Sequence, residues 1–148
     1  MLLIKNLTRR KFDKRFLRKV EKRCLKEIGI KDKAEISLVI CGKKKILNIN
    51  RLYRKKDKIT DVLSFGNQKP DFIAAPDGTL RLGEIFICYP VAERQAQKAG
   101  HSLEKEMAVL LVHGILHLAG YDHKKSGKNG DMEAKKMFKL QEKVVGEI

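Results

Sequence analysis

His113, His117 and His123 stand at H-x3-H-x5-H spacing, with Gly120 between the second and the third. This pattern constrains the local fold strongly. Residues four apart share one face of a helix, so His113 and His117 present two imidazoles to a common point. Glycine adopts positive φ at little cost, so Gly120 can end that helix and turn the chain back. His123, just past the turn, then returns a third nitrogen to the same point. Only 4 histidines occur in 148 residues, and a lone core histidine would not explain three of them in this arrangement. Three neutral imidazoles leave one position of a tetrahedral zinc open, as in catalytic sites. The expectation is one zinc per chain, held by His113, His117 and His123.

The same spacing follows the metallopeptidase pattern H-E-x-x-H-x-x-G-x-x-H at every position but one. That position is Gly114, where a peptidase carries its glutamate general base. The ligand set is complete and the base is missing, so peptide hydrolysis is disfavoured.

Charge narrows the partner. The net charge is +15, and residues 1–60 alone hold 21 Lys+Arg against 6 Asp+Glu, whereas residues 61–148 hold 12 of each. A solvated, ion-rich surface accounts for many charges but not for one sign segregated into one part of the chain. The asymmetry points to a positive surface facing a polyanion, and nucleic acid is the usual one. The longest apolar run, Met107–Val112, is far short of a bilayer span. Met1-Leu2-Leu3-Ile4 meets Lys5 too soon to be a signal-peptide core. Cys24, Cys41 and Cys88 are odd in number and widely spaced, which suits reduced, buried residues and a cytoplasmic protein without membrane contact.

Periodicity predicts one domain spanning 1–148, of mixed α/β class: a small four-stranded mixed sheet with about five helices around it. Strands are expected at 1–6, 34–41, 62–65 and 83–89. Helices are expected at 11–28, 43–56, 90–98, 102–118 and 131–144. Gly29 and Gly100 act as stops, Pro90 opens one helix and Ser102 caps another. In the second helix Ile46, Leu47, Ile49, Asn50 and Tyr53 form the inward face. A loop with Pro70, Pro76 and Asp77-Gly78 joins the last two strands, and a Lys/Gly-rich loop covers 124–130.

Glu106 lies seven residues before His113 and eleven before His117, on nearly the same helical stripe. It either orients a ligating histidine and lines the cleft, or favours the helix dipole from an early turn. Asp122 has a similar pair of readings: an acceptor for an imidazole N–H, or a turn residue.

Beyond the histidines, several segments in one order resemble the YbeY family of bacterial endoribonucleases, from about Asn50 to Glu142. Asn50-Arg51-Leu52-Tyr53-Arg54-Lys55-Lys56-Asp57-Lys58-Ile59-Thr60-Asp61-Val62-Leu63-Ser64-Phe65 resembles the family's N-x-x-Y-R-x-K-D-x-x-T-D-V-L-S-F. Leu82-Gly83-Glu84-Ile85 resembles L-G-D-I. Gly100-His101-Ser102 resembles G-H-S, followed by Glu106. His113 through His123 resembles H-G-x-L-H-L-x-G-Y-D-H. Gly66, Glu84, Cys88 and Phe138 depart from the usual proline, aspartate, serine and glutamate, and none of these is an expected metal ligand.

The resemblance implies a mixed α/β fold holding one zinc through the three histidines. It also implies single-strand-specific endoribonuclease action in rRNA processing, including 3′-end maturation of small-subunit rRNA, and in ribosome quality control. RNA and the small ribosomal subunit become the expected partners. The alternative of another class is a non-catalytic ribosome assembly factor with a structural metal. The chemistry suits the enzyme: zinc lowers the pKa of bound water to about 7 and neutralises a phosphoryl oxygen. Arg54 is the expected phosphate clamp, because a guanidinium offers paired donors to phosphate oxygens. Arg54 and Glu106 are the candidate catalytic residues.

Overall fold

A computed structural model describes residues 1–30, 33–66, 78–121 and 128–146, the side chains of 128–134 excepted. The elements run β1 (Leu2–Asn6), α1 (Lys14–Glu27), β2 (Ala34–Cys41), α2 (Lys43–Arg54), β3 (Val62–Gly66), β4 (Leu80–Cys88), α3 (Tyr89–Ala99), α4 (Leu103–Leu118) and α5 (Lys128–Gly146). The described residues form the expected mixed α/β architecture, with four strands and five helices among them.

The sheet order is β1-β2-β4-β3. β1 and β4 both run parallel to β2, while β3 runs antiparallel to β4 and forms an edge of the sheet. Alternation along the strands divides two cores. Ile36, Leu38 and Ile40 of β2 join Ile85 and Ile87 of β4 in a large core shared with α1, α4 and α5, through Leu17, Val20, Met107, Leu111, Ile115, Met137 and Val144. The opposite face carries a smaller cluster, Val39, Cys41, Ile46, Ile49, Leu63 and Cys88, beneath α2. Each fully buried aliphatic side chain contributes about 1.5–3 kcal/mol of apolar burial.

Helix ends follow from local chemistry. The Asp13 side chain accepts from the Phe16 N–H at 3.1 Å and the Ser102 hydroxyl accepts from the Lys105 N–H at 3.1 Å, each satisfying an orphan donor. α2 follows Gly42 at its N-cap, without a side-chain cap, and has lysines at 43, 44 and 45 in its first turn. Positive charge there opposes the helix dipole, so packing of Ile46 and Ile49 must hold this helix.

Several boundaries move. α1 starts at Lys14, because Asp13 caps it, and β4 begins at Leu80, three residues ahead of expectation. A register shift between Glu35 and Ile36 absorbs one extra residue of β4 there, which breaks the alternation that would have marked the strand's start. α5 begins at Lys128, so 128–130 are helical, not loop. α2 stops at Arg54 because Lys55 takes the left-handed conformation, φ 54°. The expected Pro70–Pro76 loop, Asp122, His123 and the turn around 124–127 lie outside the described residues.

Candidate active-site cleft

The end of α4 carries the two described histidines. Their Nε2 atoms stand 3.0 Å apart, with ring centroids 4.5 Å apart and planes inclined at 67°. Two nitrogens bound at about 2.0 Å to one tetrahedral ion would stand about 3.3 Å apart. The pair therefore converges as metal ligands must, and the donor chemistry fits zinc. Among the described residues no third ligand joins them; His123 lies outside that set. The helix ends as a Schellman turn: the Gly120 N–H bonds the His117 carbonyl at 3.0 Å and the Tyr121 N–H bonds the Leu116 carbonyl at 2.9 Å. Gly120 has φ 98°, and the chain turns so that Tyr121 lines the same cleft as the two histidines.

That cleft, about 550 Å³, straddles β3, the edge strand of the described sheet. One wall is His113, His117, Gly120 and Tyr121 from α4 and its turn. The other comes from the far face of the sheet: Asn50 and Arg54 of α2, with Lys56, Lys58, Thr60 and Asp61 of the segment leading into β3. Arg54 reaches over the edge strand and donates from Nη2 to the Ser64 carbonyl at 3.0 Å, its guanidinium 5.4 Å from the Phe65 ring centroid. One donor anchors it against the sheet, and the side chain remains exposed at the cleft.

Asn50 shapes the basic segment. It is buried, and its Nδ2 donates to the Lys58 carbonyl at 2.8 Å, while its backbone carbonyl accepts from Lys56 N–H at 3.2 Å. Left-handed Lys55 makes the reversal that lets Lys56–Lys58 double back along the cleft. Asp57 pairs with Arg51 and so leaves Arg54 alone. Asp61 is committed to the fold: its Oδ1 accepts from Val62 N–H at 2.8 Å, and its Oδ2 accepts from Gln95 Nε2 at 3.4 Å.

Glu106 goes elsewhere. Its Oε2 lies 2.8 Å from His101 Nε2, and it is absent from the cleft lining. Seven residues of helix separate it from His113 by about 10 Å along the axis, too far for direct orientation. The spacing that puts Glu106 on the histidine stripe gives it the right direction but also sets it about two helical turns away. Together with the Ser102 cap, the His101–Glu106 contact fastens the corner between α3 and α4. The structure thus brings Arg54, His113 and His117 to one cleft and leaves Glu106 outside it.

Gly114 explains the missing peptidase base. It faces the sheet, where a Cβ would meet Ile85 Cδ1 at 2.9 Å and Cγ2 at 3.0 Å. The position is a close helix–sheet contact, and a glutamate there would enter the core. Sequence reasoning passed over Lys56 and Lys58 as cleft cations; their signal was their place in the same short basic segment as Arg54.

The sequence profile of the family described as endoribonuclease YbeY matches residues 4–148. The endoribonuclease YbeY of Phytoplasma australiense is 45% identical over 119 residues, covering 80% of this chain and 78% of its own. That of Pelotomaculum thermopropionicum is 44% identical over 124 residues, with 84% and 78% covered. The solution structure of a Thermotoga maritima protein superposes with a TM-score of 0.62 at 31% identity, over 99% of this chain and 91% of that one.

Proposed function

This chain belongs to the endoribonuclease YbeY family, and from that premise we propose that it is a zinc-dependent endoribonuclease that cuts single-stranded RNA in the β3-edge cleft. The carrying observation is the meeting, across one edge strand, of a converging histidine pair with Arg54, Lys56 and Lys58. Neither wall alone makes a nuclease. Imidazoles hold a metal, and the cations hold a phosphodiester against it.

His113, His117 and His123 would hold the zinc, which supplies Lewis-acid neutralisation of charge on the phosphate. Arg54 binds the scissile phosphate with the donors not spent on Ser64, and so stabilises the charge that grows there in the transition state. Lys56 and Lys58 hold the flanking phosphates as point charges. The hydrogen bond to Ser64 and the Phe65 ring fix the guanidinium before substrate arrives, which reduces the ordering cost of binding.

Ribosomal RNA as substrate, including small-subunit rRNA 3′ ends, the small subunit as partner and a cytoplasmic setting are supported by the family and by the basic N-terminal part of the chain. Three buried free cysteines suit a reducing compartment, and no described helix is long and apolar enough to cross a membrane. The test is incubation of zinc-loaded protein with end-labelled single-stranded and duplex forms of one RNA. Internal cuts in the single strand, lost in His117→Ala, are expected; cutting unchanged in His117→Ala overturns the reading.

A further inference from the structure

Helical spacing places Tyr53 on the inward face of α2, yet it is 67% exposed. The helix ends one residue later, at Arg54, so no further turn of α2 covers the ring. It is not loosely held, however. It meets Phe65 in an edge-type contact with centroids 5.6 Å apart and planes at 61°, and Phe65 meets Phe86 at 5.9 Å and 78°. Three rings thus run from the half-buried sheet face outward, and the outermost stands in solvent. Edge-to-face contacts of this kind fix ring orientation as well as position.

The surroundings specify what could cover it. Tyr53 precedes Arg54, and its supporting ring Phe65 follows Ser64; both Arg54 and Ser64 line the cleft. Arg51, Lys55, Lys56 and Lys58 are exposed in the same segment. A flat apolar ring amid cations complements a ligand with planar faces and regular negative charge, which is an unpaired polynucleotide. A duplex keeps its base faces stacked internally and cannot offer one to Tyr53 without melting.

We propose that Tyr53, buttressed by Phe65, is a stacking platform for one unpaired base next to the phosphate held by Arg54, and that it contributes the preference for single strands. This deepens the endoribonuclease reading and rests on it for the substrate class.

The test measures binding and cleavage separately with full-length, zinc-loaded protein. Binding uses fluorescence anisotropy of a single-stranded 2′-O-methyl oligonucleotide and of its duplex, across a salt series. Tyr53→Ala should weaken single-strand binding about fivefold to a hundredfold, as removal of one base-stacking aromatic does, and leave duplex binding unchanged. The slope of log affinity against log salt should stay the same, because no phosphate contact is lost. Tyr53→Phe should bind as wild type, and Tyr53→Leu, which keeps apolar packing on Phe65 without a π face, should resemble Tyr53→Ala. One abasic position in the oligonucleotide should reproduce the loss in wild type and add nothing in Tyr53→Ala. Equal affinities for wild type and Tyr53→Ala, or equal losses for single strand and duplex, overturn the platform. The expected binding pattern in a protein that cuts no RNA supports the platform and overturns the activity.

Discussion

Arg54 donates to the backbone carbonyl of Ser64 at 3.0 Å, and that single bond carries a side chain from one face of the sheet round the edge strand β3 toward the histidines on the other. The site is thus built across β3. Because no described strand pairs with the outer side of β3, both walls open to one cleft along that edge.

The converging imidazoles predict metal binding. Protein purified without a histidine tag should carry close to one equivalent of zinc per chain, and His113→Ala should lose most of it. Full metal content in that variant would remove the ligand assignment. Nickel or copper in the same place would not, since three imidazoles select zinc weakly.

Gly114 predicts an unusual sign for a helix substitution. Alanine normally gains about 0.8–1.0 kcal/mol over glycine in a helix interior. Here its Cβ would press on Ile85, and overpacking a close-packed core costs about 1–3 kcal/mol. Gly114→Ala should therefore lower stability in urea unfolding, and Ile85→Val should recover part of the loss. A more stable Gly114→Ala would contradict the contact.

The sequence carried the architecture because its strands alternate and its helices repeat with enough apolar residues to reveal their inward faces. It also carried the histidine pair, whose spacing is a property of one helix. What it carried poorly depends on three-dimensional placement. Tyr53 obeys helical periodicity but lies where α2 runs out of sheet to cover it. Glu106 shares an angle with His113, but its carboxylate is taken by His101 at the other end of the helix. The start of β4 is hidden by the irregularity opposite Glu35 and Ile36. Gly114 read as a lost base when it is a packing contact.

The two groups of lysines should differ. Lys56 and Lys58 line the cleft, whereas Lys44 stands at the opposite end of α2, about 15 Å from Arg54 along the axis. Reversing Lys56 and Lys58 to glutamate should weaken RNA binding more than reversing Lys43, Lys44 and Lys45, and should flatten the salt dependence as phosphate contacts disappear. Equal effects from both groups would mean a diffuse positive field without a defined phosphate track.

Alkaline stability should depend on the buried thiols. Burial, reinforced by the Glu21 and Glu27 carboxylates, pushes Cys24 from its ordinary 9.0 up to about 12. Burial also pushes Cys41 from 9.0 to about 12, with nearby Cys88 adding to it. The folded protein holds these protons more tightly than the unfolded chain. Their stabilisation is therefore complete below pH 9 and is lost as the pH rises toward 12. Urea midpoints should fall over that window, and the fall should be shallower in Cys24→Ala than in wild type. Parallel curves would place the alkaline loss in other groups.

The most direct measurement of the central claim, that both sides of the β3 edge act as one catalytic site, is single-turnover cleavage of one internal RNA phosphodiester at saturating protein. Wild type, His117→Ala and Arg54→Lys are compared. Arg54→Lys keeps a positive charge but loses the planar fork, so it should bind nearly as wild type and cut roughly ten- to a thousandfold more slowly, the loss typical of removing one transition-state donor. His117→Ala should fall to background. Rates equal to wild type in both variants would contradict the account and place the chemistry outside this cleft.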